Sequence, residues 1–167
     1  MDAAEHYLQD IRIQFGKLKE LAEGAVAQIS DEQLLASSGE ESNSIANIMR
    51  HLAGNLRSRF TDFLTTDGEK PDRNRDLEFE TPPDTSRETV MAAWNLGFSR
   101  LESTLAQLTP DDLMRDVYIR GERHSVVQAL NRSITHLAYH VGQIVAFAKQ
   151  LRDTDWRTLS IPRRRRT

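Results

Sequence analysis

The 167-residue chain predicts an all-α fold: a four-helix bundle with a long crossover between the second and third long helices, plus short connecting helices. Three observations lead there. Apolar residues recur at alternating steps of three and four along four long stretches, the spacing of a single buried helix face. Residues that cap helices stand in front of them. Between the second and third stretches, residues 66–84 have no period and carry the breakers Asp67-Gly68, Pro71 and Pro82-Pro83.

The first helix is marked by Leu8, Ile11, Phe15, Leu18, Ala22, Ala25 and Ile29. Ser30 and Gln33 form a capping-box pattern that starts a short second piece, Asp31 to about Ala36. Residues 37–43 are small, polar and acidic, hence a loop. Ser44 opens the second long helix, whose buried side reads Ile45, Ile48, Met49, Leu52, Leu56, Phe60, Phe63 and Leu64, with His51 near its middle. The stretch 66–84 is long enough to run from one end of a bundle to the other, so that its neighbours lie parallel.

Thr85 opens the third long helix, with Glu88 completing a capping box. Val90, Met91, Trp94, Phe98, Leu101, Leu105 and Leu108 form its apolar face. Thr109-Pro110-Asp111-Asp112 starts a short helix from Pro110 to about Arg115. Val117-Tyr118-Ile119 is expected to be briefly extended before a turn at Gly121. Ser125 begins the fourth long helix, with a core side running from Val126 to Leu151. In the tail that follows, Trp156 and Ile161 are positioned to dock back, and Arg163 to Arg166 read as a solvated basic run. The segment from Ala27 to Leu34 resembles that from Ala106 to Leu113, so the chain has the layout of two helical hairpins joined by the crossover. One domain is expected over residues 1–161, with a basic tail at 162–167.

Composition narrows the function. With 25 acidic and 22 basic residues the formal net charge is -3, which gives no global attraction to nucleic acid or membrane. The absence of cysteine excludes disulfides, thiolate zinc sites and Cys nucleophiles. No apolar run approaches the roughly 20 residues of a membrane span. The segment Met1 to Asp10 carries acids where a signal peptide needs positive charge, so a cytoplasmic, soluble protein is expected. Glycine-rich phosphate loops, nucleophile elbows and dinucleotide fingerprints are all missing.

The residues with chemical capacity are histidines. His136 and His140 are four apart on a strongly periodic helix, which puts both on one face. Two imidazoles so placed chelate one metal ion in helical zinc sites. They are equally the pattern of two satisfied polar residues, and the spacing does not choose. No glutamate follows His136, so the zinc-protease motif is absent. His51 lies midway along another long helix, within reach across a bundle, and Asn47 and Asn55 flank it at four residues either way. Gln143 follows His140 by three. Three histidines leave coordination positions open, as catalytic metals require. The three amides are candidates for orienting ligands or substrate. His6 and His124 lack partners at such spacing.

Two stretches, Ser44-Ile-Ala-Asn-Ile-Met-Arg-His-Leu-Ala-Gly-Asn55 and His136-Leu-Ala-Tyr-His-Val-Gly-Gln-Ile144, resemble the DinB-like superfamily. Ser58-Arg-Phe-Thr-Asp-Phe-Leu-Thr-Thr-Asp-Gly-Glu-Lys-Pro71, Arg73-Asn-Arg-Asp76 and Glu78-Phe-Glu80 resemble one uncharacterised branch of it, and the likeness covers about residues 1–161. The resemblance implies a four-helix bundle and a zinc or nickel ion held by His51, His136 and His140. It also implies kinship with transferases and isomerases that use low-molecular-weight thiols such as bacillithiol or mycothiol, and a homodimer. The alternative function is a non-catalytic, metal-binding or stress-related bundle. In such a fold the crossover passes the metal site, with Asp67, Glu69, Lys70, Arg73, Arg75 and Asp76 either pinning it or lining a pocket.

Overall fold

The computed structural model describes residues 2–37, 39 and 41–161. The expected arginine run, with the rest of the tail from residue 162, lies outside the described residues. The described chain is mostly helical. Its elements are α1 (Ala3–Val26), α2 (Asp31–Leu35), α3 (Ile45–Phe60), α4 (Arg87–Gln107), the hairpin strands β1 (Asp116–Ile119) and β2 (Glu122–Ser125), and α5 (Val126–Arg152). No helix among the described residues is long and apolar enough to cross a membrane.

Local chemistry sets the helix starts. Asp2, Ser30, Ser44, Ser86 and Ser125 each accept a hydrogen bond from the backbone N–H three residues on. The expected cap at Thr85 is corrected to Ser86, which pairs with Thr89 rather than Glu88 in a reciprocal box. α3 stops at Phe60, because Thr61 turns extended, and Asp62 follows with a positive φ of 48°; Phe63 is still buried, but from the turn that follows. The short helix expected from Pro110 to Arg115 is a single 3-10 turn, Pro110–Asp112.

The two-stranded hairpin departs from an all-α fold. β1 pairs antiparallel with β2, Val117 opposite His124 and Ile119 opposite Glu122. The extension at Val117-Tyr118-Ile119 and the turn at Gly121 are where they were expected. The polar second strand carries no apolar alternation to announce it. Trp156 packs against the core, whereas Ile161 is 92% exposed and does not dock.

One apolar core joins the long helices, with Phe15, Trp94, Phe98, Met49, Leu101 and Leu130 almost wholly enclosed. The tightest pairs are α3 with α4 and α1 with α5, not the sequence neighbours that two helical hairpins would pair. α3 and α4 run parallel: Ala53 faces Gly97, and seven residues later Thr104 Oγ1 donates to the Phe60 carbonyl. A Cβ on Gly97 would come within 2.8 Å of the Ala53 carbonyl oxygen, so this glycine sets how closely the two helices approach. α1 and α5 are parallel too, with Tyr7 bonded to Asn131 near the start of both, and Gln33, in α2 just past the end of α1, bonded to the Leu151 carbonyl at the end of α5. α1 opposes α4, since Arg12 reaches the Leu105 carbonyl while Trp94 Nε1 donates to Glu23. The crossover after α3 therefore returns along the molecule, as its length suggests, and a 3-10 turn at Asp76–Phe79 lies against α3 on the way.

Candidate metal centre

His51 is buried within α3, 4% exposed. His136 and His140 project from one face of α5 and are half-buried. The α3–α5 contact brings the three imidazoles together, each offering a ring nitrogen, and these ligand atoms lie within 4.8 Å of one another. His51 Nε2 and His136 Nε2 are 3.1 Å apart. At metal–nitrogen bonds of about 2.0–2.1 Å, two ligands of a tetrahedral ion stand roughly 3.3 Å apart, so the spacing fits one small divalent ion.

The other nitrogens have partners that orient the rings. His51 Nδ1 lies 2.9 Å from Glu78 Oε2. His140 Nδ1 lies 2.9 Å from Gln143 Oε1. Each oxygen accepts an Nδ1–H, which leaves the Nε2 lone pair facing the cluster, the usual outer partnership of metal-binding histidines. Burial alone would raise the Glu78 carboxyl, but hydrogen bonds from His51 and Arg73 and their charges outweigh it and hold the group below its ordinary range. Burial, then the nearby charges of His140, His51, Arg73 and Arg59, push His136 down to about 3. Burial likewise lowers His140, against the opposing bond to Gln143. Neutral imidazoles at neutral pH are the protonation state a metal requires.

Glu78 enters through a gap in α3. Gly54 stands one turn beyond His51, and a Cβ there would collide with the Glu78 carboxylate. Arg73 grips that carboxylate with two bonds of 2.8 Å, from Nε to Oε1 and from Nη2 to Oε2. Arg73 also pairs with Glu69, which binds Arg59 and Arg120 in turn. Phe79 stacks on the His51 ring at 4.7 Å. The sequence reading missed Glu78 and Phe79 as site residues. The one sequence sign was the small residue at 54, on the His51 side of the helix.

The expected accessory residues divide. Gln143 orients His140. Asn55 lines the cavity over the histidines. Asn47 points elsewhere, donating to the Phe79 carbonyl and accepting from Thr81, and so ties the crossover to α3. The charged crossover residues mostly pin it. Asp67 accepts from the backbone N–H of Arg120 and Gly121 in the hairpin turn and from Glu69. Lys70 Nζ donates to Thr66 and to the Asp67 carbonyl. Arg73 and Arg75 also line the cavity, a space of about 300 Å³ open to solvent.

No curated protein matches the chain, and no solved structure matches it. A family model described as "Protein of unknown function (DUF1572)" matches residues 2–165.

Proposed function

The chain belongs to this family of unknown function, and from that premise we propose that it is a divalent-metal-binding protein of the DinB-like kind, its four long helices forming the bundle that carries the ion. His51, His136 and His140 are the ligands. The observation that carries the reading is the convergence of three ring nitrogens, two of them on histidines whose opposite nitrogen is held by Glu78 or Gln143. A nitrogen-only donor set favours zinc or nickel over calcium or magnesium. The three histidines line the cavity, so an ion held by them would be reachable from it. An ion held by these three histidines would supply Lewis acidity and would favour the deprotonated form of a thiol substrate.

That chemistry supports a transferase that uses a low-molecular-weight thiol. The hydrogen-bonded chain from Glu69 through Arg73 and Glu78 to His51 favours a second reading, in which the ion chiefly braces the crossover. Elemental analysis of the reconstituted protein is expected to find about one zinc or nickel per chain, and His136→Ala and His140→Ala to lose it. Metal-free wild type after reconstitution overturns both readings. Turnover of electrophilic acceptors with several thiols selects the transferase; full occupancy with no turnover, and a melting temperature lowered by chelation, selects the bracing role.

A further inference from the structure

Among the described residues, five arginines line the cavity over the histidines, Arg59, Arg73, Arg75, Arg120 and Arg132, and no carboxylate does. Two are satisfied from behind. Arg59 is buried and bonded to Glu69 and the Gly68 carbonyl, and the Arg73 side chain is 2% exposed on Glu78 and Glu69. The other three have guanidinium capacity to spare. Arg120 gives Nε to Glu69 at 3.0 Å, with its side chain 54% exposed. Arg75 lies over the Phe79 ring at 5.1 Å, and the Asp76 carboxylate is 3.9 Å away. Arg132 has no partner among the described residues. Ser133, 7% exposed, and Asn55 also line the cavity, and neither side chain has a hydrogen-bonding partner among the described residues.

A merely solvated basic face would spread its arginines outward. These line one concave space beside the buried Ser133 and the half-buried Asn55, which is how recognition sites for small acids are built. We propose that the cavity binds a small molecule bearing an oxyanionic group, carboxylate or phosphate, held by Arg75, Arg120 and Arg132. Arg132 precedes His136 by four residues on α5, so their Cβ atoms are about 5–6 Å apart on one face. An acid group on Arg132 therefore lies on the same face of α5 as the part of the ligand that meets the histidines. A cavity of about 300 Å³ has the size of a small-molecule site. The inference rests on the metal-centre reading for the reacting end of the ligand and on the arginines alone for its acid end.

The full chain, metal-loaded and chelator-treated, is titrated calorimetrically with succinate, methyl phosphate and neutral succinamide. One or both acids are expected to bind both forms, with succinamide at least roughly tenfold weaker and acid binding weakening as salt is added. The tighter acid identifies the group recognised. Arg132→Gln, at an exposed position without a partner, should weaken acid binding roughly tenfold while the protein melts normally. Arg123→Gln, paired with Asp116 on the hairpin outside the cavity, should leave it unchanged. No binding of either acid, or equal binding by Arg132→Gln, overturns the proposal. Acid binding by a protein that takes up no metal supports this site and sinks the metal centre; metal uptake without acid binding does the reverse.

Discussion

Glu78 decides which nitrogen of His51 faces the other two histidines. Its carboxylate accepts the Nδ1–H at 2.9 Å while Arg73 holds it from the far side. Glu78→Gln keeps a group that can accept from His51 but removes the charge that Arg73 grips. Metal affinity measured by chelator competition is expected to fall about 10- to 100-fold, with all three histidines still present. An unchanged affinity removes the orienting role. At this scale the histidine cluster was legible in part. The four-residue step between His136 and His140 was visible, and His51 joined them by family pattern rather than by spacing. Glu78 was not legible, because it meets His51 only through the path of the crossover. Its neighbour Gly54 showed only that some group needed room.

Among the elements, the crossover and the hairpin hold each other in place. Asp67 receives the Arg120 and Gly121 backbone N–H groups at 2.9 and 2.7 Å, in a turn where both residues have positive φ. Asp67→Ala hands those exposed donors to water, at a cost of about 1 kcal/mol. Hydrogen exchange is expected to quicken at the Arg120 and Gly121 amides well beyond any change along α5. Equal effects in both places overturn the coupling. Helix starts could be read from the sequence because capping is a matter of three neighbouring residues, as at Ser30, Ser44 and Ser125. Thr85 and Ser86 are adjacent candidates of the same chemistry, and only the backbone path chose the second. Strand β2 had no comparable local signal, since its place depends on a turn gripped from the crossover, 50-odd residues earlier.

Across the whole molecule, the histidine cluster couples stability to pH. His136 is held at about 3 in the folded chain, against about 6.5 in the unfolded chain. Between those values the unfolded chain binds more protons, so the contribution is intact above about pH 6.5 and is lost as pH falls toward 3. Metal-free protein should therefore show a falling urea midpoint from pH 7 to pH 5, and His136→Leu a flatter profile. Identical slopes for the two proteins contradict that assignment. The parallel run of α3 and α4 carries a consequence in time. Helices pointing the same way cannot meet through a short turn, so the intervening chain must be laid back along the molecule before the pair can close. That loop-closure entropy comes due before the contacts that repay it. The same returning segment delivers Glu78 to His51, and α5, with the other two histidines, lies later still in the chain. The histidine cluster thus depends on two long closures, that of the crossover and that of α5 onto α3, and an ion bound there would favour the closed chain over the open one.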